Sequence, residues 1–142
     1  MISAVLDSNI FISAFLFNGN QRRIINHAIE GDFRVNISHE ILSEIDSVLK
    51  RPKFKLTFNQ ISLFLNEISS LSEICYPSGK IIDSCRDSDD HIILECSVES
   101  KSDYIVTGDN DLLILKKYKA ITIINSDAFL SILEEQSTQE TI

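Results

Sequence analysis

Cysteine is scarce in this chain. The 142 residues hold only Cys75, Cys85 and Cys96, and no two of them stand in a C-x-x-C spacing. An odd, scattered set does not make a secreted disulfide framework and suits a reducing compartment. Cys85, His91 and Cys96 match no common zinc spacing and lack a fourth ligand. Long apolar runs are missing too: none approaches the roughly 20 residues that span a bilayer. The N-terminus has neither the basic stretch nor the long apolar core of an export signal. The expected setting is therefore the cytoplasm, with no membrane partner. No P-loop, G-x-G-x-x-G or G-x-S-x-G occurs, which leaves no evident phosphate cradle, dinucleotide fingerprint or serine nucleophile elbow. Internal repeats, linkers and low-complexity tracts are also absent. Basic charge is short: 13 Lys and Arg face 21 Asp and Glu, for a net charge of −8. Proteins that grip duplex nucleic acid by its backbone are usually basic. The acid excess therefore serves solubility, or it includes carboxylates whose charge a bound cation cancels.

What is present is an ordered alternation of strand and helix patterns. Ile2 to Leu6 is a short apolar run, read as a buried strand. Asn9 to Phe17 is helical in period, and Asn18-Gly19 marks a turn. Ile24, Ile25, Ala28 and Ile29 form a helical stripe closed by Gly31. Phe33 to Ile37 is a second strand. Ser38 caps a helix that runs to about Lys50 and stops before Pro52. Thr57 and Gln60 form a capping box for a helix bearing Ile61, Phe64, Leu65 and Ile68. Ile74 to Tyr76 is a third strand, and a helix capped by Asp87 or Ser88 runs to about Ser100. Tyr104 to Thr107 is a fourth strand, Leu112 to Tyr118 a short helix and Ala120 to Ile124 a fifth strand. Ser126 caps a last helix ending near Glu135. Such alternation needs crossover connections, hence a mostly parallel five-stranded sheet covered on both faces. Residues 1–135 form one domain, and residues 136–142 are polar enough to fray.

In open α/β sheets, sites form beyond the carboxyl ends of the strands. Asp7 directly follows the first strand and Asp109 follows the fourth, so both project into one rim. Each could also simply cap the helix after it; the pairing at two strand ends favours a shared site. Glu44 and Asp46 lie at opposite edges of the apolar face of their helix, and periodicity does not choose between them. Asp87, Asp89 and Asp90 cluster at a helix start, where the dipole and capping favour acids; Asp90, in the first turn, can point toward the rim. Converging carboxylates repel one another unless a cation lies between them, and their hard oxygens suit Mg²⁺ or Mn²⁺.

Four segments, in order, resemble the PIN-domain ribonucleases, in particular the VapC-related toxins of bacterial toxin–antitoxin pairs: LDSNIFISA at Leu6 to Ala14, SHEILSEIDSVLKRPKF at Ser38 to Phe54, RDSDDHIILE at Arg86 to Glu95, and DYIVTGDNDLL at Asp103 to Leu113. The resemblance spans Ile2 to about Phe129. It implies a three-layer α/β/α fold and Mg²⁺- or Mn²⁺-dependent cleavage of single-stranded RNA. Asp7, Glu44, Asp90 and Asp109 match the family's acids, with Asp89 as the alternative to Asp90. Asp7, Asp90 and Asp109 would hold the metal, and Asp111 would support it through a water. Asn9 and Thr107 match polar positions that orient the site. Many relatives carry proline where this chain has Ser88, which loosens the register at Asp90. The resemblance also suggests a small antitoxin partner and a homodimer.

Substrate contact has to overcome the acidic total. Basic clusters occur at Arg22-Arg23, at Lys50, Arg51, Lys53 and Lys55, and at Lys116, Lys117 and Lys119. Arg51 and Lys53 follow the Glu44 helix and are candidates for phosphate contact, although cations also suit a helix C-terminus. Two other readings stand beside the nuclease: a non-catalytic module that keeps the same fold to recruit a partner, and a receiver-like phosphoryl-transfer domain. The second also places an aspartate after strand one, but Asp7-Ser8-Asn9 has no further acid two positions on.

Overall fold

A computed structural model of the chain describes residues 1–78 and 88–140, the side chains of 88, 89 and 137–140 excepted. The first crossover unit runs β1 (Ser3–Leu6), α1 (Ser8–Leu16), α2 (Asn20–Ile29), β2 (Arg34–Ser38). The second runs α3 (His39–Leu49), a 3-10 turn (Pro52–Phe54), α4 (Phe58–Leu71), β3 (Ser72–Cys75). Then come α5 (Ser88–Glu99), β4 (Tyr104–Val106), α6 (Asn110–Leu113), β5 (Lys117–Tyr118), β6 (Ile121–Ile124) and α7 (Ser126–Glu140).

The strands form one sheet in the order β3-β2-β1-β4-β6-β5. Every neighbouring pair is parallel except β5 with β6. All of β1 is buried, including Ser3. That requires helices on both faces, as a parallel sheet demands. On one side of β1 the chain builds outward through β2 to β3; on the other it restarts at β4. The switch in direction therefore lies between β1 and β4, and open parallel sheets place their sites beyond the carboxyl ends of the strands at such a point.

Local chemistry explains most element ends. Thr57 and Gln60 close a full capping box at α4, with bonds of 3.1 and 2.8 Å. Ser38 Oγ accepts from the Ile41 N–H at the start of α3. Gly31, at φ +82°, turns the chain after α2 in a conformation that costs glycine little. Phe11, Ile24, Ile25, Ile41, Ile45, Leu94, Ile105 and Phe129 fill the core. Phe129 of α7 meets Phe33 edge-on and also contacts Tyr104, so α7 is held at the amino ends of β2 and β4.

Four expectations need adjustment. The sheet has six strands. The expected helix from Leu112 to Tyr118 is a single turn, α6, followed by β5, because Lys116 and Lys119 adopt positive φ (59° and 55°). Those angles break the helix and turn β5 back onto β6, where the Ile123 N–H donates to the Lys116 carbonyl. The third strand begins earlier than expected, since α4 passes directly into β3 at Ser72. At α7 the capping side chain is Asn125, whose Oδ1 accepts from the Ala128 N–H, and the helix runs to Glu140 rather than to about Glu135. The α5 cap expected at Asp87 lies outside the described residues.

Candidate metal centre

The registers bring the acids together. Leu6 is paired with Val106, which sets Asp7 beside Thr107 one step beyond the ladder. The Asp7 N–H donates to the Val106 carbonyl at 3.0 Å. Thr107, fully buried, is held from the other side by its own N–H to the Ile124 carbonyl. Its hydroxyl donates to Asp7 Oδ2 at 2.7 Å and accepts from the Asp109 N–H at 3.0 Å. One side chain thus fixes the carboxylate after β1 and the backbone that carries the carboxylate after β4.

Asp7 and Asp109 are also helix caps. Asp7 Oδ1 accepts from the Asn9 N–H at 3.3 Å, and Asp109 Oδ1 accepts from the Asp111 N–H at 2.9 Å. Capping and a shared rim are compatible, because each cap uses only part of a carboxylate's acceptor capacity. Ligand oxygens of Asp90, Asp109 and Asp111 all lie within 4.8 Å of one another. Asp90 is buried, Asp109 half-buried and Asp111 exposed. The pKa of Asp7 is raised above its ordinary value by burial, with the nearby charge of Asp109 adding to the effect; the Thr107 hydroxyl and the N–H groups of Asn9 and Ser8 oppose it. Acids gathered this closely at a half-buried rim fit a hard divalent cation, which relieves their repulsion and accepts oxygen ligands.

Glu44 reaches the same neighbourhood through a contact that sequence reasoning missed. The hydroxyl of buried Ser8 donates to Glu44 Oε2 at 2.7 Å, tying α3 to the residue after Asp7. The only signal in the sequence is the position of Ser8 next to Asp7. Asp46, the geometric alternative, pairs with Lys50 at 3.0 Å.

The other expected residues are placed as follows. Asn9 is exposed and meets Asp7 through its backbone. The side chain of Asp89 lies outside the described residues. Arg51 and Lys53 are exposed around the turn after α3, and the Lys53 ammonium sits 5.0 Å from the Phe54 ring centre. The imagined zinc set does not assemble among the described residues: His91 pairs with Glu95 at 2.8 Å and Cys96 lies against Cys75, while Cys85 is outside them. One further group among the described residues has metal-ligand types, His27, Glu30 and Asp32. There the imidazole is already bonded to Asp32 at 2.6 Å across the turn from α2 to β2.

A family model described as PIN domain matches residues 3–111, a span that runs from β1 through every acid of the rim. The chain belongs to the PIN-domain family. Among solved structures it is similar to the crystal structure of VapBC2 from Rickettsia felis bound to a DNA fragment from their promoter, with a TM-score of 0.61 and 18% identity. That match covers 87% of this chain and 98% of the other, and at this identity it concerns the fold. No curated protein sequence matches the chain. Among the described residues, no helix is long and apolar enough to cross a membrane.

Proposed function

We propose that this PIN domain is a Mg²⁺- or Mn²⁺-dependent endoribonuclease that hydrolyses phosphodiester bonds of single-stranded RNA in the cytoplasm, as the toxin of a toxin–antitoxin pair. The observation that carries the reading is the grouping of Asp90, Asp109 and Asp111, with Asp109 close enough to Asp7 to raise its pKa, at the carboxyl ends of β1 and β4. Asp7, Asp90 and Asp109 would hold the cation, with Asp111 in support. When bound, a divalent ion supplies polarisation of a phosphate oxygen and a water acidic enough to attack phosphorus in line. Thr107 keeps Asp7 and Asp109 in register with each other. Glu44, which accepts from the Ser8 hydroxyl, would help hold the cation or position the attacking water. No covalent nucleophile is required.

The partner is proposed on two grounds: the sequence resemblance to VapC-related toxins, and the likeness of the fold to VapBC2. A small antitoxin protein and a homodimer both follow from that reading. The experiment that tests the chemistry is incubation of labelled single-stranded RNA with the purified, antitoxin-free protein in Mn²⁺, in Mg²⁺ and in chelator, beside Asp7→Asn and Asp109→Asn. Cleavage that needs metal and vanishes in both variants supports the nuclease. Folded protein that cuts nothing yet binds a partner without metal, and does so equally as Asp7→Asn, would instead support a recruiting module.

Arg51 and Lys53 are proposed to hold substrate phosphates beside the acid rim. Replacing both with alanine should weaken RNA binding and flatten its salt dependence by roughly one unit of slope per lost contact. An unchanged slope would remove them from the interface.

A further inference from the structure

Cys75 closes β3, the edge strand, and Cys96 lies in the last third of α5, yet their sulfurs are 3.2 Å apart. A disulfide requires about 2.05 Å between sulfurs, so the two would close by a little over one ångström. Cys96 is fully buried, whereas Cys75 is partly open to solvent. The asymmetry assigns their roles. The neighbouring Cys96 thiol holds the Cys75 thiol below its ordinary pKa, while that contact and burial push Cys96 up. The more accessible sulfur is thus also the more readily ionised one, as a peroxide-sensing thiol must be. The buried one is placed to resolve it.

We propose that Cys75 and Cys96 are a reversible dithiol–disulfide pair, closed by a peroxide, that staples the sheet edge to the helix carrying Asp90. In the first step the Cys75 thiolate attacks one peroxide oxygen. The O–O bond breaks, hydroxide leaves and takes up a proton as water, and Cys75 becomes a sulfenic acid. In the second step the Cys96 sulfur attacks the Cys75 sulfur. The S–O bond breaks, hydroxide leaves with the Cys96 proton as water, and the S–S bond forms. Two thiols and one hydrogen peroxide give one disulfide and two waters. A dithiol reductant reverses it by exchange. The bond joins positions 21 residues apart in sequence, a loop long enough for the cross-link to restrict the unfolded chain. Since α5 also presents Asp90 at its first turn, closure restrains the element on which the rim depends. The proposal rests on the packing of β3 against α5 and stands whether or not the rim cleaves RNA.

The sequence makes the test direct. Trypsin cuts after Lys55, Lys80, Arg86 and Lys101, so Cys75, Cys85 and Cys96 fall in separate peptides. The whole protein is treated with hydrogen peroxide, alkylated, digested without reductant and mapped by mass spectrometry. The expected product is a linked pair of the Cys75 and Cys96 peptides, with Cys85 alkylated and the link reversed by dithiothreitol. Oxidation should also raise the melting temperature by roughly 5–10 °C, and Cys75→Ser and Cys96→Ala should each abolish that rise. Alkylation of both Cys75 and Cys96, or a bond from either to Cys85, overturns the proposal. So does an oxidant-dependent rise that persists in Cys75→Ser. The peptide map is read on the unmutated chain, so a variant that folds poorly does not blunt it.

Discussion

The two ends of the sheet handle polar groups in opposite ways. At the amino end, most donors and acceptors are paired, with the buried Ser72 hydroxyl at the start of β3 as the exception among the described residues. Asp103, before β4, accepts from the Ser3 N–H at 2.9 Å, and Asn36 donates to Ser102, whose hydroxyl is bonded to that of Ser100. His27 and Asp32 satisfy each other at the approach to β2. At the carboxyl end, acids crowd together: Asp90, Asp109 and Asp111 share one small volume, and Asp7 feels the charge of Asp109. Matched polar pairs stabilise a fold. Like charges held this close cost stability unless a proton or a cation joins them, and natural chains concentrate such strain at functional sites. Both ends contain aspartates next to strands, so the residue type does not separate structure from chemistry; the crowding of carboxylates does.

The sharpest way to break this contrast is to remove one acid from each end. Asp109→Asn should lower metal-dependent RNA cleavage by more than about 100-fold, beyond what an outer-shell partner costs. Asp103→Ala should leave cleavage by the folded fraction unchanged and destabilise the protein by about 1–3 kcal/mol, because it orphans the buried Ser3 N–H. Equal losses of cleavage in both variants, measured at matched folded fraction, would erase the distinction. Thr107→Val comes next. It deletes the hydroxyl shared by Asp7 and the Asp109 N–H, and should cost roughly tenfold to a hundredfold in cleavage rate and about 1–3 kcal/mol in chemical denaturation.

A subtler separation is in pH. Burial and the neighbouring Asp109 raise the folded pKa of Asp7 above its ordinary 3.8. The native state therefore holds this proton more tightly than the unfolded chain does. In chelator, the stabilising contribution is complete below the unfolded value and is lost as pH rises through the raised folded value. Asp7→Asn lacks that loss, so its melting temperature should gain on the parent's as pH rises from about 4 to about 7. A constant difference across that window would contradict the assignment. The smallest effect is expected at Asp46→Ala, which removes only the exposed pair with Lys50; stability should change by less than about 0.5 kcal/mol, and cleavage should not change.

Much of this arrangement is legible along the chain, because its causes are local. A fully buried parallel strand must be a short apolar run, so β1 and the aspartate after it can be read directly. Caps depend on residues two or three apart, which is why Ser38 and the Thr57–Gln60 box are where their side chains predict. The Asn125 cap was overlooked because Ser126, beside it, is an equally good capping type. Strand β5 is not legible in the sequence because its bends use lysines in a left-handed conformation, which glycine or asparagine usually supplies. Lysine there costs about 1–2 kcal/mol, which pairing with β6 helps to offset.

The sequence by itself determined the alternation of strands and helices, the apolar core and the acids at strand ends, since these depend on periodicity and on neighbours in the chain. The tertiary structure decided which acids share a volume, that Ser8 meets Glu44 rather than solvent, and that Cys75 lies against Cys96. Apart from Asp109 and Asp111, which are near neighbours in the chain, those contacts join residues 19 to 36 positions apart. They follow from strand order and register, which the whole core sets at once, and no local pattern encodes them.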